Sequence, residues 1–180
     1  LKKYPGAEII HEVRTSRATR ELITEWGGKP ICTKAGRVKI GEVMRERHAP
    51  FGAETTGHMF FTENYSADSG LISALVVMVA LSESDQSLST LVDEYHRYAM
   101  DPEQNFEVDE PPALLAKLKE HYQDGEQSQL DGLTVEYPDW WFNLRVSNTE
   151  PVVRLNLEAK DQSLLEAKTA EVVEIIKEGI

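Results

Sequence analysis

Residues 144–158, Leu-Arg-Val-Ser-Asn-Thr-Glu-Pro-Val-Val-Arg-Leu-Asn-Leu-Glu, admit few folds. Phe142, Leu144 and Val146 precede a polar run, and Val153, Leu155 and Leu157 follow it. Each trio alternates with period two, the mark of a strand buried on one face. The stretch therefore reads as strand, tight polar loop, strand. Arg145 and Arg154 fall on the opposite parity, so both guanidinium groups leave the polar face. They flank Ser147, Asn148, Thr149 and Glu150, closed by Pro151. Two planar forks beside hydroxyls, an amide and loop N–H groups make an anion receptor, with phosphate the best geometric match. The same residue types also make an ordinary polar hairpin turn with two solvated arginines.

Charge sharpens that choice. The net charge of −12 is spread along the chain, which disfavours nucleic acid and anionic membranes as partners. A site for a negative ligand must then be a local positive patch. Apolar residues at 41% over 180 positions suffice for one large core or two small ones. The single cysteine, Cys32, has no internal disulfide partner, which favours a reducing, cytoplasmic setting. The longest apolar run, residues 71–81, is shorter than the roughly 20 residues a bilayer requires. No signal peptide is read before Leu1, and a start without Met suggests a piece of a longer protein.

Two grammars divide the chain. Up to about residue 99 strands alternate with helices. Residues 8–13 read as a strand, and Thr15 or Ser16 caps a helix bearing Leu22, Ile23 and Trp26 that Gly27-Gly28 stops. A strand at 30–33 follows, then a helix opening at Gly36 with Val38, Val43 and Met44. This spacing predicts an α/β layer on a parallel sheet. Residues 51–58 form a loop between short strands, and Asp68 is expected to cap an apolar helix over 69–81 that lies on the sheet. A second helix carries Leu88, Leu91, Val92 and Tyr95, and Met100 to Gln104 reads as a linker. From 104 to 180 the expectation is an α+β unit. It has a strand near 105–108, a helix opened by Pro111-Pro112, three strands near 133–136, 141–146 and 152–158, and a last helix capped by Asp161.

Outside the arginine hairpin, chemistry concentrates in two places. Glu54 and Thr56 in Gly52-Ala-Glu-Thr-Thr-Gly-His58 point the same way in an extended loop and suit the vicinal hydroxyls of a sugar, although a polar turn explains them equally. Lys34 stands past the carboxyl end of a strand, where open α/β sheets bind ligands; a solvated lysine explains it too. The five histidines show no metal-ligand spacing, and only His58 lies in a candidate site. Trp140 and Trp141 beside Tyr137 resemble a base-stacking platform, but strand periodicity favours one core face and one half-exposed ring.

Together these segments resemble the α-D-phosphohexomutases, in the phosphomannomutase/phosphoglucomutase form. Arg145 to Arg154 looks like that family's phosphate-binding loop, Ala53 to His58 like its sugar-binding loop, and Thr33-Lys34-Ala35-Gly36 like the segment whose lysine faces substrate. The resemblance implies the third and fourth of four family domains. These are an α/β/α three-layer domain over 1–99 that binds sugar, and a TATA-box-binding-protein-like α+β domain over 104–180 that binds phosphate. It implies interconversion of hexose 1-phosphate and 6-phosphate, of mannose or glucose, through a phosphoserine in an N-terminal half of the same enzyme. Mg²⁺ would bind in that half, and glucose or mannose 1,6-bisphosphate would be the intermediate. By the same resemblance Lys34, Glu54, Thr56 and His58 hold the sugar, with a proton-transfer role open to His58. Arg145, Ser147, Asn148, Thr149 and Arg154 hold the non-reacting phosphate. Ala53 and Thr56 depart from the family's usual Gly and Ser, and a positive φ at Ala53 would be costly. No serine-nucleophile loop or Asp-Gly-Asp-type metal loop occurs in these residues, so this chain alone is expected to be inactive. A stand-alone phosphosugar-binding module is the alternative; a nucleic-acid-binding protein, suggested by the second fold, is opposed by the charge.

Overall fold

A computed structural model describes residues 1–147 and 150–178. They form two compact units, Leu1–Arg97 and Tyr98–Ile180.

The first unit begins with β1 (Glu8–Glu12), α1 (Arg17–Glu25), β2 (Lys29–Thr33), α2 (Arg37–Arg47) and β3 (Phe51–Ala53). β2 and β3 both pair with β1 in parallel, giving the order β2-β1-β3. The two right-handed crossovers run in opposite directions across this sheet, so α1 and α2 lie on opposite faces. The parallel strands are as the alternation predicts, and two further strands make the sheet mixed. β4 (Met59–Phe61) returns antiparallel to β3, and β5 (Ala67–Asp68) antiparallel to β4. A connection as short as 54–58 closes a hairpin, whereas a parallel return needs a crossover of a dozen residues or more.

Ile10, Ile40, Met44, Ala49 and Phe60 form the core of this unit. Gly52 lets α2 approach closely, because a Cβ there would come within 2.9 Å of both Ile40 and Met44 side chains. Val38 of α2 points outward at 75% exposure, while Met44 is buried. Ser16 caps α1 by accepting the Ala18 N–H.

Two expectations fail at α3 (Gly70–Ser82). Its cap is Ser69, which accepts the Ile72 N–H, and Asp68 belongs to β5. No residue of α3 is buried, nor any of α4 (Leu88–Tyr95), and Leu71, Val76 and Met78 are more than half exposed. Apolar composition asks for cover without saying which surface supplies it, and α2 already takes the face bearing Ile10 and Phe60. α4 is tied back near its end, where Arg97 pairs with Glu25 at 2.6 Å and Tyr95 meets Trp26 edge-on.

In the second unit β6 (Ala99–Met100), β7 (Gln104–Glu107), α5 (Pro111–His121), β8 (Glu126–Ser128), β9 (Leu133–Glu136), β10 (Trp140–Val146), β11 (Val152–Ala159) and α6 (Gln162–Lys177) follow in order. All strand pairs are antiparallel, in the order β6-β11-β10-β9-β8, with β7 also on β11. Met100 and Gln104 thus belong to strands of this sheet. Phe142, Leu144, Val153, Leu155 and Leu157 face Leu114 and Leu118 of α5 and Leu165, Val172 and Ile176 of α6 in one core. Val146, at the loop end, is 41% exposed. Both tryptophans are buried, which removes the stacking platform. Trp140 stacks on Tyr137 at 4.9 Å, and Trp141 donates its indole N–H to Glu158 at 2.8 Å.

Candidate functional site

In the second unit the polar face of the β10–β11 ladder presents three cross-strand rungs: Trp141 with Glu158, Asn143 with Asn156, and Arg145 with Arg154. The register sets two guanidinium groups directly opposite each other, a repulsive arrangement unless something stands between them. Glu103, just before β7, does so. Arg145 Nη2 donates to Glu103 Oε2 at 3.2 Å and Arg154 Nη1 to Oε1 at 3.3 Å, while Asn156 Nδ2 donates to Oε2 at 3.0 Å. Arg154 Nη2 also reaches Glu150 Oε2, at the loop's far side, at 2.6 Å. The chain Glu150–Arg154–Glu103–Arg145 therefore ties the loop to the sheet. The Nε–H groups of both arginines are buried without a partner among the described residues. Ser147, also buried, closes the hairpin by donating its N–H to Val152 O at 2.9 Å. Asn148 and Thr149 lie outside the described residues.

The first unit carries the other predicted residues at the carboxyl ends of β1, β2 and β3. Glu54 and Thr56 are on one side of their loop, and Thr56 Oγ1 donates to Glu54 Oε2 at 2.7 Å. The second Glu54 oxygen accepts the Gly36 N–H at 3.1 Å, joining this loop to the segment after Lys34. Lys34 itself is exposed. Gly57, at φ +88°, takes the left-handed turn; Ala53 sits in β3 opposite Met59, and its φ is not positive. The departure from Gly at that position therefore carries no backbone strain. His58 Nδ1 lies 2.7 Å from Asp68 Oδ2, which orients the ring.

Beneath the loop lies Glu12, fully buried at the end of β1. It accepts the Thr55 hydroxyl at 2.6 Å, the Thr55 N–H at 3.3 Å, the Arg14 N–H at 2.8 Å and Arg14 Nε at 3.0 Å. Burial pushes its carboxyl up, but the hydrogen bonds from Arg14 and Thr55 outweigh that and hold it below the ordinary value of 4.5. Among the described residues no three His, Cys, Asp or Glu side chains are grouped to hold a metal ion, so no Mg²⁺ chemistry is assigned to them. No described helix is long and apolar enough to cross a membrane.

Residues 1–98 match the model of phosphoglucomutase/phosphomannomutase α/β/α domain III, and residues 103–175 match the C-terminal domain of the same enzymes. The chain belongs to the phosphoglucomutase/phosphomannomutase family. It is 38% identical over 181 residues to a protein named phosphohexose mutases from Xanthomonas campestris pv. campestris, covering 98% of this chain and 40% of that protein. Against a phosphomannomutase of Methanocaldococcus jannaschii the identity is 36% over 176 residues, with 98% and 39% covered. A crystal structure of a family protein from Burkholderia thailandensis superposes with a TM-score of 0.86 at 32% identity, over 99% of this chain and 39% of that one. The chain thus spans about 40% of the length of such relatives.

Three carboxylates have no mark in the sequence as site residues: Glu12, Asp68, which reads there as a helix cap, and Glu103. Each is a carboxylate whose partner is distant in sequence or set by strand register, and no spacing rule marks it. The period-two pattern did place Arg145 and Arg154 on one face, and an acidic residue near the neighbouring strand was the only further signal available.

Proposed function

We propose that this chain is the substrate-recognition part of a phosphosugar mutase that interconverts hexose 1-phosphate and 6-phosphate. One observation carries the reading: Arg145 and Arg154 stand opposite each other on one sheet face, each with a buried Nε–H that no described group accepts. A buried unpaired donor costs free energy, so two aimed from neighbouring strands favour an acceptor from outside. In an acidic chain this pair, with Ser147, and with Asn148 and Thr149 next in the sequence, grips the phosphate that does not react. Glu54 and Thr56 take the sugar hydroxyls, with Lys34 and His58 near them. Tight hold on the remote phosphate orients the reacting end and contributes binding energy to the transition state. The phosphoserine donor and the Mg²⁺ that supplies electrostatic stabilisation at it belong outside these residues. The bisphosphorylated sugar would be the species that reorients, and the cytoplasm the place of reaction.

The test is a titration with mannose 1-phosphate and with glucose 1-phosphate, following backbone amide shifts. Shifts should cluster at Ser147 and at residues 54–58 and vanish in Arg145→Ala, and the better-bound sugar indicates preference. The chain alone should show no mutase turnover. Shifts that survive Arg145→Ala would refute the assignment.

A further inference from the structure

We propose that Glu103 is a positioning residue for the phosphate receptor, holding Arg145 and Arg154 in the geometry an incoming phosphate meets. The inference rests on the phosphate reading of the arginine pair given above. Its basis is the place of Glu103 in the charge chain. The β10–β11 register forces the two guanidinium groups onto one rung, where like charges repel. A free arginine also has many rotamers, and fixing it on binding costs affinity. Glu103 counters both effects, because its two oxygens each take a terminal N–H from a different arginine. Its approach is itself fixed: Asn156, one rung further along the same face, donates to Oε2, and Gln104 pairs with Leu155 across β7 and β11.

The donors used matter as much as the contact. Glu103 engages Nη2 of Arg145 and Nη1 of Arg154, and both Nε–H groups stay without a partner among the described residues. The carboxylate therefore orients each fork from one side and leaves donors for a second acceptor. Among the described residues Arg154 is the more heavily engaged of the two, since Glu150 also takes its Nη2. Arg145 is then the principal phosphate ligand. Arg154 links the loop through Glu150 to the sheet.

Glu103→Gln and Glu103→Ala test this in the 180-residue chain, with Arg145→Ala alongside and glucose 1-phosphate and mannose 1-phosphate as the probes. Glutamine keeps the shape and an acceptor for Asn156 but removes the charge. A merely structural role would be rescued by it. The expected result is that Glu103→Gln keeps the amide spectrum of the core and stays folded at the assay temperature, with a lower melting temperature from the unscreened arginine pair. It nevertheless binds the sugar phosphate about tenfold more weakly, as the loss of charge-assisted orientation implies. Nε–Hε signals of Arg145 and Arg154 should broaden in both Glu103 variants before ligand is added. If Arg145→Ala abolishes binding while the Glu103 variants bind as well as or better than the parent, positioning is refuted and Glu103 is a competitor or a bystander. The phosphate reading then survives. If the parent binds neither sugar phosphate, or Arg145→Ala binds equally well, both readings fall together.

Discussion

Glu12 shows how a single buried charge can set the conditions under which a loop keeps its shape. Its carboxylate is enclosed at the end of β1 and satisfied by Arg14 and Thr55, so the folded state holds it ionised below the ordinary value of 4.5. The unfolded chain binds the proton first as pH falls. The stabilisation is thus fully present above about pH 4.5 and is lost as pH drops through the lower folded value. Glu12→Gln should destabilise the first unit at pH 7 by about 3 kcal/mol, because it removes the buried carboxylate that Arg14 and Thr55 satisfy. Urea unfolding of parent and variant at pH 7 and pH 3.5 checks this. The gap should shrink at the lower pH, and an equal gap at both would show that Glu12 is not the titrating group. Periodicity alone assigns Glu12 to a strand end and says nothing of Thr55, 43 residues away.

Among the elements, α3 and α5 make opposite cases. α5 places Leu114 and Leu118 against the second sheet, and Leu118 is wholly buried. Leu118→Ala should cost about 2–5 kcal/mol through lost burial and a residual cavity. α3 is more apolar, yet Val76 and Met78 are 53% and 63% exposed. Val76→Thr should change stability by less than about 0.5 kcal/mol, as surface substitutions do. Denaturant midpoints of the two variants provide the comparison, and a loss of 2 kcal/mol or more at Val76 would mean that α3 is covered in solution. Helix caps were legible locally to within a residue: Ser16 and Asp161 act as expected, while at α3 the cap moves from Asp68 to Ser69. The reason is pairing. Asp68 is held in β5 opposite Phe60, and its side chain is engaged by His58.

At the scale of the whole molecule the two units carry cores of unequal size. Among the described residues, the core cluster of Leu1–Arg97 gathers five buried residues including Ile10, whereas that of Tyr98–Ile180 gathers sixteen. Burial of apolar area dominates stability, so the first unit should open at lower denaturant. Amide hydrogen exchange should show Ile10 and Ile40 exchanging through a lower-energy opening than Phe142 and Leu155. Ile40→Ala should lower protection in the first unit and leave the second unchanged; coincident exchange in both would show that they unfold as one.

Composition, period and turn chemistry suffice for the two grammars of this chain, the β10–β11 hairpin and the shared face of Arg145 and Arg154. These features depend on neighbours a few residues apart, and local sterics and side-chain alternation act at that range. Burial of Trp140 and Trp141, the antiparallel return of β4, the exposure of α3 and the carboxylates that organise each candidate site were settled only in three dimensions. Glu103 meets Arg145 across 42 residues and Glu12 meets Thr55 across 43. Such contacts follow from sheet order and register, which bring distant charges within hydrogen-bonding reach and leave no local trace.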